Sequence, residues 1–81
     1  MPRTVGTPRQ QVLCAFLVER RKKAGLTQTD VARKLRRHQS FVATVESGQR
    51  RIDVVELLDF AEAIDFDPRD LIKRMRAARR A

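Results

Sequence analysis

Residues 27–46 read Thr-Gln-Thr-Asp-Val-Ala-Arg-Lys-Leu-Arg-Arg-His-Gln-Ser-Phe-Val-Ala-Thr-Val-Glu and hold two short helical patterns back to back, with about three residues between them. The first opens at Thr27, and its Val31, Ala32 and Leu35 fall on one helical stripe. The second opens near His38, with Phe41, Val42 and Val45 on its own stripe. A link that short forces the helices to cross steeply, the geometry of a helix-turn-helix. Because the apolar stripes pin each helix to a core, the polar or small residues at the start of the second helix, Gln39, Ser40, Ala43 and Thr44, are expected to face outward.

Working outward, five helices and no strand-period alternation or internal repeat can be read, so the fold class is all-α. Thr7 is a plausible N-cap with Pro8 at the first helical position. The first helix then runs to about Ala24, with Leu13, Phe16, Leu17 and Ala24 inward and Gly25 as its stop. Thr27 and Asp30 form a capping-box pattern, as do Asp53 and Glu56. The helix opened near His38 ends at Ser47-Gly48. A fourth helix, about Val54 to Ile64, is expected to place Val54, Leu57, Leu58, Ala61 and Ile64 in the core. A fifth starts near Pro68 and carries Leu71, Ile72 and Met75. Residues 1–6 read as a loose arm, 7–76 as the domain and 77–81 as a basic tail, with fraying from Arg76 onward.

Eighty-one residues make one small domain, and 42% hydrophobic residues suffice for a helical core. Eighteen Lys and Arg against ten Asp and Glu give a net charge of +8, which favours a polyanionic partner over a merely solvated basic surface. There is no Trp or Tyr, and four Phe leave few rings for stacking single-stranded bases. Outward-facing Gln39, Ser40, Ala43 and Thr44 instead suit base edges in the major groove of double-stranded DNA. The apolar stretch Val12 to Val18 is too short to span a bilayer, and no small-residue cleavage site follows it. Cys14 is the only cysteine and reads as a small core residue, which fits a reducing cytoplasm. His38 is the only histidine, and neither a glycine-rich phosphate loop nor metal-ligand spacing occurs; no enzyme activity, cofactor or metal is expected.

Thr27-Gln28, Ala32, Gln39-Ser40-Phe41-Val42, Glu46-Ser47-Gly48 and Arg50-Arg51 together resemble the Cro and phage-repressor type of helix-turn-helix regulator, often called Xre-like. The resemblance runs from about Leu13 to Met75. It implies a compact five-helix, lambda-repressor-like bundle that binds a palindromic operator as a homodimer and controls transcription. It also implies that Gln28 bridges the DNA backbone and the recognition helix, and that Gln39 is the first base-reading position. A glutamine amide suits bidentate pairing to adenine. Arg21 and Glu46 match a structural ion pair joining the first helix to the end of the recognition helix. Thr27, Gln28, Arg37, His38, Arg50 and Arg51 are the expected DNA-backbone contacts, the two last lying beside the N-terminus of the fourth helix, where backbone N–H groups favour phosphate.

The alternative for Gln28, Gln39 and Ser40 is an ordinary solvated helix surface, and Ala43 and Thr44 are small enough to be simply exposed. The family's turn commonly has glycine where this chain has Arg36, a departure costing on the order of 1 kcal/mol if the backbone there is left-handed. The rival function is an antitoxin that binds a toxin protein and its own operator. For the dimer, Val55, Phe60, Phe66, Leu71, Ile72 and Met75 are surplus apolar residues, with contact expected around Phe66 and Met75.

Overall fold

Side chains that close the first turn start four of the five helices in the computed structural model, which describes residues 6–78. The elements are α1 (Pro8–Lys23), α2 (Gln28–Leu35), α3 (Gln39–Glu46), α4 (Val54–Ile64) and α5 (Pro68–Ala77). Thr7 accepts from the Gln10 N–H and Asp67 from the Arg69 N–H. Thr27 with Asp30, and Asp53 with Glu56, close complete capping boxes, each side chain bonding the other residue's backbone N–H at 2.7–3.0 Å. A cap of this kind contributes about 1 kcal/mol. The exception is α3: His38 occupies the N-cap position, but its side chain makes no capping bond.

The helix ends show how the chain turns so tightly. Gly25 and Gly48 take positive φ, where glycine carries no Cβ penalty. Between α2 and α3 the left-handed position falls on Arg36, at φ 58° and ψ 43°. That turn returns the Arg37 N–H to the Ala32 carbonyl at 2.9 Å, closing the end of α2. Asp65 is likewise left-handed at the end of α4, with φ 67°.

α2 and α3 pack directly on each other; α4 backs α2, while α1 touches both α3 and α5. The centre is made of Phe16, Leu17, Val31, Val42, Val45, Phe60 and Leu71, all essentially inaccessible. Phe66 meets Phe16 edge to face, with ring centroids 5.0 Å apart. Among the described residues there is no strand.

Several core assignments made from periodicity alone are corrected. Ala24 is exposed, because α1 ends at Lys23 and Ala24 turns outward as the cap. Val54 and Leu58 are 72% and 47% exposed: the inward stripe of α4 is the partly buried Leu57 with the buried Phe60, Ala61 and Ile64, spaced i, i+3, i+4, i+7. Phe60, Phe66 and Leu71 therefore complete the core rather than remaining surplus, and Met75 packs partly against it. Ile72 and Val55, also read as surplus, do remain exposed, at 45% and 68%. α5 continues through Arg76 to Ala77. The expected arm and basic tail lie largely outside the described residues, since 1–5 and 79–81 are not among them.

Candidate nucleic-acid interface

Val42 and Val45 anchor α3 in the core, which turns its N-terminal polar side to solvent. Gln39 and Ser40 are exposed, whereas Ala43 and Thr44 are half-buried, so the last two face outward only in part. The Thr44 hydroxyl lies within reach of two backbone carbonyls, Phe41 at 2.9 Å and Ser40 at 3.0 Å. With its donor engaged there, Thr44 offers outward a methyl group and an acceptor.

A chain of side-chain hydrogen bonds fixes Gln39. The Arg21 guanidinium grips Glu46 through Nε to Oε2 (2.6 Å) and Nη2 to Oε1 (3.2 Å), and its Nη1 donates to the Leu26 carbonyl at 2.9 Å. The two side chains are only 11% and 7% exposed. Gln28, the first residue of α2, donates from Nε2 to Glu46 Oε1 at 2.8 Å. Gln39 in turn donates from Nε2 to Gln28 Oε1 at 2.7 Å. Three helices are thus joined along α3, from Glu46 at its last residue to Gln39 at its first, by contacts from residues 21, 28, 39 and 46, far apart in sequence. The link from Glu46 to Gln28 was not legible in the sequence, where the two residues belonged to separate expectations.

Glu56 organises a second cluster that the sequence reading assigned only to a cap. Arg50 holds its carboxylate with two bonds of 3.0 and 3.1 Å, and Arg37 Nη1 stands 3.5 Å away. Arg50 and the Asp53 N–H, in that order, pull the Glu56 carboxyl down from 4.5 to about 2. Both guanidinium groups also lie against the ring of Phe41, Arg37 at 3.7 Å and Arg50 at 4.8 Å from its centroid. The turn before α3 and the loop after it are therefore tied to the start of α4. Arg50, expected as a phosphate contact, is ion-paired in the unbound protein. Arg51 is exposed, and its guanidinium sits beside Gly6, where an added Cβ would stand 3.1 Å from Nη2. Thr27 and His38 are exposed at the N-termini of α2 and α3. A spacing signal for Glu56 existed, an arginine six residues before a capping glutamate, but nothing in it pointed to Phe41.

Not every cation belongs to this side. Arg20 approaches Asp70 at 3.8 Å, Arg74 bonds Glu19 at 3.0 Å, and both lie against the Phe16 ring where α1 meets α5. Cys14 is buried; its thiol donates to the Val45 carbonyl at 3.4 Å, and burial pushes its pKa up. An uncharged, enclosed thiol is a packing group and not a nucleophile. Among the described residues no cluster of His, Cys, Asp and Glu could hold a metal, and no helix is long and apolar enough to cross a membrane.

Two short packed helices joined by a tight left-handed turn, with a supported, outward polar edge, are the construction of a DNA-reading module. Residues 12–75 match the family model of a helix-turn-helix domain. An XRE-family like protein from Pseudomonas syringae pv. tomato str. DC3000 is 43% identical, with a TM-score of 0.79 over 85% of this chain and 84% of that one. The restriction-modification controller protein C.AhdI from Aeromonas hydrophila is 35% identical, with a TM-score of 0.71 over 76% and 94%. The clp gene regulator ClgR from C. glutamicum, at 19% identity, shares the fold with a TM-score of 0.76 over 84% and 88%. No match was found among the curated proteins. The chain belongs to the XRE-like helix-turn-helix family of DNA-binding transcription regulators.

Proposed function

We propose that the protein is a repressor that binds a palindromic operator as a homodimer, reading sequence with α3. The observation that carries this is Gln39: it is exposed at the first turn of α3 while its amide is held by Gln28. A base-reading side chain needs both properties, reach into the groove and an orientation set before binding. Gln39 and Ser40 meet base edges, and Ala43 and Thr44 line the same edge with methyl groups suited to thymine. Thr27, Gln28, His38 and Arg51 are assigned to phosphate contact in this reading. Arg37 and Arg50 join them from their places against Phe41. The +8 net charge supplies the sequence-independent attraction.

One α3 covers too few base pairs for useful selectivity, so two copies about one helical turn apart are the economical arrangement. Phe66 is spent in the monomer core and Met75 packs partly against it, which favours a different surface for pairing. Val54, Val55 and Leu58 share one face of α4 at i, i+1 and i+4 and remain in water, as does Ile72 on α5. Apolar side chains grouped on one helix face are suited to a second copy. A dimer lying across a promoter would exclude polymerase. The likeness to a restriction-modification controller protein favours a regulatory role.

Selection of bound fragments from a random DNA pool tests the proposal. Two inverted half-sites with centres about 10–10.5 base pairs apart, or a multiple of that, are the expected result. A pool that never converges, or that converges on a single unpaired half-site, overturns it.

A further inference from the structure

The relay behind Gln39 does more than hold it still, because its members differ in what they can donate. An ionised carboxylate only accepts hydrogen bonds and a guanidinium only donates them, while a glutamine amide does one at each end. Arg21 engages both oxygens of Glu46, at 2.6 and 3.2 Å, in an enclosed site. The group 2.8 Å from Glu46 Oε1 must then be the NH2 of Gln28. That leaves the Gln28 carbonyl facing Gln39, so the atom 2.7 Å from it must be the NH2 of Gln39. Amide orientations are ordinarily ambiguous, but here a buried charge at one end settles both.

We infer that Glu46, through Gln28, sets the amide polarity of Gln39 and so makes it select adenine over guanine at the base pair it meets. Gln39 is left with one N–H and its carbonyl oxygen to offer. Adenine presents an acceptor, N7, and a donor, the N6 amino group, in the major groove; guanine presents two acceptors, N7 and O6. One donor and one acceptor match adenine, whereas guanine would set two oxygens against each other. Glu46 never approaches the DNA and is a positioning residue. The inference rests on the reading of Gln39 as a base contact.

The same logic makes Glu46→Gln informative. Arg21 would hold the new side-chain carbonyl, turning the new NH2 toward Gln28. Gln28 would then reverse, donating to the Gln39 carbonyl, and Gln39 would present two N–H groups outward. That display matches guanine.

The experiment is selection from a random DNA pool with the full chain and three variants, Gln39→Ala, Glu46→Gln and Gln28→Leu. Adenine is expected at the Gln39 position for the parent. Glu46→Gln should move the adenine-to-guanine ratio there toward guanine by at least about fivefold, the low end of what one bidentate base contact discriminates. Gln28→Leu keeps the Arg21–Glu46 pair but cuts the relay; it should lose the adenine preference without gaining guanine. The rest of the half-site should be unchanged in both. If Glu46→Gln does not fold, Gln28→Leu decides alone. If Gln39→Ala selects the parent motif, Gln39 reads no base and the underlying reading fails. If Gln39→Ala alters the motif while the other folded variants retain the parent's adenine preference, base reading stands and the polarity relay is overturned. Weakening spread evenly over all positions also overturns it, because that is the signature of mere loosening.

Discussion

Removing Arg21 or Glu46 singly should come close to unfolding the domain, and removing both should be milder than the sum. In Arg21→Ala the Glu46 carboxylate stays enclosed and keeps only Gln28 as a donor, while the Leu26 carbonyl loses its partner. Stranding one member of a buried pair costs about 3–5 kcal/mol. The lost carbonyl bond adds about 1 kcal/mol, so Arg21→Ala falls near the top of that range. Glu46→Ala is expected nearer 3 kcal/mol, because Arg21 retains Leu26 and can swing its long side chain toward water. A chain this size has only about 4–12 kcal/mol of stability in all. At roughly 4–8 °C per kcal/mol, the single variants should melt about 12–40 °C below the parent. With both charges gone no ion is stranded, and the double variant should recover at least about 2 kcal/mol of the summed loss. Thermal and urea melts of the four proteins close the cycle. Strictly additive losses would refute the reasoning, since they would mean the two side chains do not depend on each other in solution.

Four other outcomes follow from particular residues. Arg36→Gly should raise the urea midpoint by up to about 1 kcal/mol of stability, because the left-handed backbone then carries no Cβ; an unchanged or lower midpoint would show the turn is unstrained. Glu56 has a lowered pKa, so its stabilisation is complete above about 4.5 and is lost as pH falls toward about 2. That shift corresponds to roughly 3 kcal/mol, which solvent around the half-exposed Arg37 and Arg50 trims to about 1–2; melting the parent against Glu56→Gln should show this difference at pH 6 and little at pH 2. Arg51→Ala should weaken binding to all DNA sequences alike and flatten the log affinity against log salt plot by roughly 0.9, the value of one phosphate contact, without changing the melt. Leu58→Asp places a charge on the exposed face of α4 and should give a monomer by sedimentation at micromolar concentration with the melt nearly unchanged; an intact dimer would put the pairing surface elsewhere.

Much of this protein is local and could be read from its residues in order. The caps at Thr7, Thr27 and Asp53 bond residues three positions away, so their spacing alone reveals them. The stripes Val31-Ala32-Leu35 and Phe41-Val42-Val45 declare a helix pair because the link between them leaves no room for anything else. The family resemblance supplied the meeting of Arg21 and Glu46, which no local pattern implies.

What the sequence determined by itself is therefore the set of helices, the close pairing of two of them, the basic character and the outward start of α3, since each follows from composition or from spacings within a turn or two of chain. Only the tertiary structure decided which face of α4 is buried. Val54 and Leu58 carry the same hydrophobic signal as Phe60 and Ile64, and packing against α2, α5 and Phe41 of α3 makes one stripe inside and the other outside. It also decided that Arg37 and Arg50 converge on Phe41 and Glu56, and that Glu46 reaches Gln39 through Gln28. Those contacts join side chains whose separation in sequence carries no information about distance; they exist because burying Val31, Val42, Val45 and Phe60 in one core brings the helix ends together.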